Sequence, residues 1–470
     1  MSQLFTTYPY LWVPFVVLLL VILFIIFTAL KDFINPKVII YAPLWVPAVF
    51  VVFLGVALLP SLSNSYAGLT VQITVVLLRT MPFWLPLVLL IAFWELWNQY
   101  IRARFIHKLK WVLLEIKIPQ EVTKSPLAME TFLMSLYQTG METTFIDRHW
   151  KGQIRAYWSL EIVSIEGSVK FFIYAQERYK KFVEAGLYAQ YQNIEVHEVP
   201  DYSHSVHYKP GENDMYIIDY KKKSSSAYPI KTYVDYGIDN EQMEEETKID
   251  PINHVVEFLG SIGANQQCWL QIVIRAHKKE QKKRGTFFGK TDRWKDEAKA
   301  EVEKIRAEAL PKGSDPTITK FPNPTKGQQE RIAALERTVS KLSFDVGIRS
   351  IYMGKKDFFN GTNITGLRTL LRSYSAPHLN VFAPTNWLDG FDYPWEDFRG
   401  IRKRLKRHHG LEAYKRRSFF YGPHSEESEI MVLSVEELAT MFHLPGQVSQ
   451  TPTLGRLVSK KGQAPGNLPV

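Results

Sequence analysis

The stretch LWVPFVVLLLVILFIIFTAL, Leu11 to Leu30, is twenty residues without a charge, about the length needed to cross a hydrocarbon core of roughly 30 Å. It reads as a membrane span and sets the expectation for the residues around it. Val38 to Leu59 is a second charge-free run, with Pro43 and Pro47 in its first half, a placement that membrane helices tolerate. Met81 to Leu96 is apolar apart from Glu95, and Leu69 to Leu78 is a separate apolar piece cut off by Arg79. Three spans are therefore predicted, at about 11–30, 38–59 and 81–98, in a membrane block of residues 1–108.

Residues 1–10 contain no Lys or Arg, which argues against a cleaved signal peptide. Trp12, Trp45, Trp94, Trp97 and Tyr100 sit near span ends, where amphipathic rings meet lipid headgroups. Lys31 and Lys37 lie in the first loop, and Arg102, Arg104, Lys108 and Lys110 follow the third span. Only Arg79 lies in the second loop. The excess of cations places the C-terminal region inside and the N-terminus outside. The single cysteine, Cys268, permits no intrachain disulfide.

Beyond Lys108 the pattern changes to that of a soluble α+β region. KWVLLEIKI (Lys110 to Ile118) reads as a strand ending at Pro119, and Ser125-Pro126 opens a helix. Trp158 to Ile165 and Ser168 to Ala175 are strands joined at Glu166-Gly167, a hairpin spacing. A helix over Glu177 to Tyr191 and a strand over Ile194 to Val199 complete a βαββαβ order, the ferredoxin-like arrangement, over residues 109–201. After a polar linker, 202–214, the order repeats over 215–384. The second unit is interrupted by an insertion at 277–341, in which Trp294, Ala298, Val302 and Ile305, then Ile332, Leu335, Val339 and Leu342, mark a helical hairpin. The fold class predicted is a membrane α-helical block of about three spans followed by two ferredoxin-like units. A basic segment and short capped helix (385–446) and an extended tail (447–470) follow.

Ile401 to Arg417 holds Arg402, Lys403, Arg404, Lys406, Arg407, Lys415, Arg416 and Arg417 against Glu412, a net +7 of the chain's +10. A charge excess this local is a patch. Three readings stand: anionic lipid headgroups, nucleic-acid phosphates, or a solvated face pairing with acidic neighbours such as Glu396 and Asp397.

No residue set reads as catalytic, cofactor-binding or metal-ligating. Gly285 to Thr291 resembles a phosphate-binding loop but is one residue short and follows a basic linker. His408 and His409 are adjacent and so diverge on a helix. Phe171, Phe172 and Tyr174 lack the Gly-aromatic signature of RNA-binding sheets and read as packing residues. Ser434-Val435-Glu436-Glu437 is a capping box that starts a short helix.

VLSVEELATMFHLPG (Val432 to Gly446), SKKGQAPGNLP (Ser459 to Pro469), LLEIKIPQEVTKSPLAME (Leu113 to Glu130) and QCWLQIVIRAH (Gln267 to His277) together resemble the N-terminal, non-motor region of bacterial type IV secretion and conjugation ATPases. The resemblance implies an inner-membrane platform with a cytoplasmic domain and no enzymatic activity. It further implies docking of a separate hexameric ATPase, since the motor of such proteins follows the proline-rich tail and the sequence stops at Val470. Membrane lipids and further copies of the chain are the other partners expected. The alternative is a membrane-bound nucleic-acid-binding protein acting through the basic patch.

Overall fold

The computed structural model describes residues 63–119, 124–191, 193–240, 249–278, 281–282, 290–309, 324–385, 397, 400–422, 430–446 and 456–457. The chain divides into two compact units, Met1–Ile101 and Arg102–Val470. In the first, the described residues belong to α1, Ser63–Lys108, which runs on into the second.

The membrane reading is corrected here: among the described residues no helix is long and apolar enough to cross a membrane. The expected spans at 11–30 and 38–59 lie outside the described residues. The expected span at 81–98 falls within α1, which carries Pro82 and Pro86 inside it and the charged Arg79 and Glu95. These interruptions shorten its apolar runs. The multi-pass inner-membrane placement, with its outside N-terminus and cytoplasmic C-terminal domain, is therefore not supported by the described residues.

The two separate ferredoxin-like units are corrected as well. β1 (Trp111–Pro119), β2 (Tyr157–Ile165), β3 (Ser168–Gln176), β4 (Glu195–Val199), β5 (Asn213–Lys222), β6 (Gln266–Ala276), β9 (Ser343–Lys355) and β10 (Phe382–Thr385) lie in one sheet. β7 (Gln281–Lys282) and β8 (Lys290–Thr291) form a small ladder of their own. The large sheet has ten strands in the order β10-β5-β9-β6-β2-β3-β1-β12, with β11 (Met431–Ser434) on β9, β4 on β1, and β12 being Arg456–Leu457. The seam is the antiparallel β2–β6 pair, in register from Tyr157 opposite Arg275 to Ile165 opposite Gln267. β2 (YWSLEIVSI) is buried almost throughout, and left as an edge it would expose a long apolar row of unpaired N–H and C=O groups. Pairing with β6 removes that edge. The remaining edge strands are short and blunted, β10 by Pro384 and β4 by exposed Glu195, His197 and Glu198.

Alternation along the strands gives the sheet two unlike faces. On one, Leu114, Ile116, Leu160, Ile162, Phe171, Ile173, Leu270, Ile272, Val346 and Ile348 form the main core. Helices α2 (Pro126–Ser135), α4 (Lys180–Gln190), α5 (Pro251–Gly260), α8 (Thr362–Thr369) and α10 (Val435–Met441) cover it, while the short α3 (Phe145–His149) has no buried residue. The opposite face carries Glu161, Asp219, Gln271, Arg275, Asp345 and Arg349 among its apolar residues, all deeply or largely buried.

Local chemistry sets the ends of these elements. Glu166 and Gly167 take positive φ, 52° and 89°, as the two-residue β2–β3 turn requires. The Asp250 carboxylate accepts from the Ile252 N–H ahead of Pro251 at the start of α5. In the hairpin, α6 (Arg293–Glu308) and α7 (Lys326–Ser340) turn Ala298, Val302 and Ile305 against Leu335, Ile332 and Val339, over Ala227 and Tyr228. Its apolar stripes are consumed by packing on each other.

Two histidines, the buried His443 and the half-buried His277, are held as cations by geometry. His443 Nδ1 faces the Ala439 carbonyl at 2.9 Å and Nε2 faces Asp250 at 3.0 Å. His277 lies between Asp345 (2.5 Å) and Asp292 (3.2 Å). Each ring nitrogen meets an acceptor, so both must carry a proton. Burial pulls both histidines down, but the facing carboxylates outweigh it and hold them above the ordinary value. Burial pushes Asp250 and Asp345 up, and their cationic partners overcome this, so both end below theirs. The histidine contribution is thus complete below about pH 6.5 and lost as pH rises through the raised folded values. The aspartate contribution is present above about pH 3.8 and lost as pH falls through the lowered ones. The melting temperature should fall between pH 6 and 9, and His443→Gln should flatten that slope. A thermal melt series in which the wild type shows no fall refutes this assignment.

Candidate functional site

The charged face of the sheet is roofed by α9, Ile401–Lys415, and by the segment after it. The backbone makes the close docking possible. A Cβ on Gly410 would stand 2.5 Å from Ile217 Cδ1, and one on Gly347 of β9 would stand 2.1 Å from the Phe419 ring. Glycine at both lets helix and ring lie flat on the strands. Leu411 and Tyr414 complete the contact, packing with Ile217, Trp269 and Ile351.

Seven of the eight predicted basic residues fall into three groups, and Arg417 stands apart. Arg402 and Lys403, both half-buried, begin α9, where their backbone N–H groups donate to Asp397 at 2.7 and 3.0 Å. Asp397 therefore caps the helix through its backbone, a role the charge pattern alone did not reveal. Arg404 is exposed and Lys406 is half-buried, while Arg407 pairs with Asp214 at 2.6 Å and donates to the Tyr208 hydroxyl. Lys415 and Arg416 each reach Glu412, at 3.8 and 3.7 Å.

Arg417 is a core residue. Its Nε and Nη2 donate to the two oxygens of Glu161 at 2.9 and 3.2 Å, and Nη1 donates to Asp201 and to the Lys415 carbonyl (2.7 Å). Its guanidinium lies 4.2 Å from the centre of the Tyr174 ring. Burial disfavours its charge, but Glu161 and Asp201 more than restore it, raising the pKa well above the ordinary value. Asp201 is pushed up by burial and pulled down further by Arg417. Glu161 also accepts from Ser159, Gln271 and Tyr202. This network occupies the centre of the face and leaves Arg417 no donor direction toward solvent chemistry.

Beside it opens a cavity of about 550 Å³, within the 300–1,000 Å³ typical of ligand sites. Its aromatic wall is Trp111 on β1, Tyr157 on β2, Tyr174 on β3, and Phe420 and Tyr421 after α9. Its other polar lining includes His107, His204, Lys415 and Arg416. Trp111 stacks on Tyr174 with ring centres 5.1 Å apart and planes 7° from parallel, and meets Tyr157 at 4.8 Å. Arg275 lies 4.4 Å over Phe420. Burial pushes the Tyr174 hydroxyl up to about 12, so it stays protonated.

Of the eight basic residues, Lys415, Arg416 and Arg417 line this cavity, whereas Arg402 to Arg407 do not. The aromatic wall was not found from the sequence. The apolar Phe419-Phe420-Tyr421, one residue after Arg416-Arg417, is the signal that the chain turns inward there.

Among the described residues no group of His, Cys, Asp or Glu is arranged to hold a metal ion. The residues 283–289 of the loop that resembles a phosphate-binding motif lie outside those described. Cys268 is buried, and burial pushes its thiol far above the ordinary value. Comparison with protein-family models and with curated proteins gives no match.

Proposed function

We propose that this chain is a non-enzymatic binding platform for the motor ATPase of a type IV secretion-like translocation machine. One observation supports the reading. Three of the segments that carry the family resemblance, remote in sequence, meet in one packed body. Leu113 to Glu130 supplies most of β1 and the first half of α2, Gln267 to His277 supplies nearly all of β6, and Val432 to Gly446 supplies most of β11 and all of α10. α10 packs on α2, and β11 and β6 both pair with β9. A resemblance made of such segments concerns a shared scaffold, since all three lie largely in the core.

The docking surface assigned to the motor is the polar outside of the α6–α7 hairpin, whose Lys299, Lys304 and Lys326 are exposed. Lysine cross-linking of the tagged full chain, purified from cells that carry its natural neighbours, tests this. Cross-links from these lysines to an ATPase with Walker motifs are expected. A preparation that keeps other assemblies intact yet yields no such ATPase overturns the reading.

A further inference from the structure

We infer that the cavity beside Arg417 is a binding site for a planar aromatic anion about the size of a mononucleotide. The inference rests on the cavity alone and is independent of the platform reading. Trp111, Tyr157, Tyr174 and Phe420 supply flat apolar surface, the chemistry that holds a conjugated ring by stacking. The ring contacts already present, Trp111 on Tyr174 and Arg275 on Phe420, fix the wall before any ligand arrives.

The charge of the lining sets the sign of the ligand. Lys415 and Arg416 line it with His107 and His204, and no carboxylate does so among the described residues. Arg417 positions the first two: its Nη1 grips the Lys415 carbonyl at 2.7 Å while Glu161 and Asp201 hold its remaining donors. The backbone at the cavity wall is therefore pinned while the Arg416 side chain stays more than half exposed. Two carboxylates compete for this lining: Glu412 lies 3.7 Å from Arg416 and 3.8 Å from Lys415, and Asp201 lies 3.8 Å from His204. The Arg416 pair is the solvent-facing one, and such pairs are weak, so an incoming anion can replace Glu412 at Arg416.

The test is calorimetric titration of the full chain with four probes. These are adenosine monophosphate, adenosine, inorganic phosphate and anilinonaphthalene sulfonate. Binding of an aromatic anion is expected, with adenosine and phosphate weaker by about tenfold or more, the worth of one charge-assisted contact. Arg416→Glu and Phe420→Leu should each weaken that binding by about tenfold while leaving the melting curve in place. Binding of the nucleotide alone marks a nucleotide site, and binding of the sulfonate alone marks a site for another aromatic acid. The inference fails if neither anion binds, if adenosine or phosphate binds as well as the nucleotide, or if both variants bind as the wild type does.

Discussion

Replacing Glu437 with Leu should cost about 3–5 kcal/mol of folding stability, the usual penalty for stripping a buried charge of its partner. The Lys222 ammonium lies 2.8 Å from Glu437 Oε1, and the two side chains are 1 % and 0 % exposed. Burial depresses the Lys222 pKa, and the Glu437 carboxylate pulls it back only in part. Glu437 also accepts from the Ser434 and Ile230 backbone N–H groups, at 2.8 and 2.9 Å. The variant thus orphans two amides as well as an ammonium. The double variant Lys222→Met, Glu437→Leu should recover the part of the loss that comes from the stranded ammonium, while the Ser434 and Ile230 amides stay without their acceptor. Urea unfolding measures both. A single variant that loses less than about 1 kcal/mol, the net worth of an ordinary hydrogen bond, means the pair is not what holds β11 and α10 in place.

Arg417→Met should be comparably damaging, by about 3–5 kcal/mol near neutral pH, and its pH dependence should run opposite to that of the wild type. With the guanidinium gone, Asp201 loses the cation that overcomes its burial and faces Glu161 in a dry site, so its folded pKa should rise above the unfolded one. A raised carboxylate adds stability as pH falls, so the deficit of the variant should shrink between pH 8 and pH 5. In the wild type Asp201 sits below its ordinary value, so its contribution is full above that value and is lost as pH falls through the lowered one. Chemical unfolding at several pH values separates the two. A deficit that stays constant with pH shows that Arg417 acts by packing and not by charge.

Both residues illustrate what a sequence reveals and what it hides. The Ser434–Glu437 capping box is legible because donor and acceptor lie three residues apart, and helix geometry alone brings them together. The Glu166-Gly167 turn is legible for the same reason. That Glu437 also reaches Lys222, and Glu436 reaches Arg337 and Lys341, depends on tertiary packing. Arg417 looks like the last member of a surface run, yet its partners Glu161 and Asp201 stand 256 and 216 positions earlier. Strand alternation shows which residues share a face, but it does not name the neighbouring strand. The β2–β6 seam was therefore invisible, and one sheet was read as two units. The cavity was hidden likewise, its wall being drawn from three strands and a loop.

The order of synthesis gives the Lys222 pair a further meaning. β11 hydrogen-bonds β9 in the middle of the sheet, and its Val432 carbonyl, which accepts from Lys222, follows that lysine by 210 residues. At about 5–20 residues per second, the ribosome delivers β11 and α10 some tens of seconds after β5. Throughout that interval Lys222 has a charge with no carboxylate beside it, and the helix-covered face has no α10 over α2. Truncation ahead of Ser434 should therefore remove both the Glu437 partner of Lys222 and the α10 cover of α2, and leave a chain far less resistant to proteolysis than the full one.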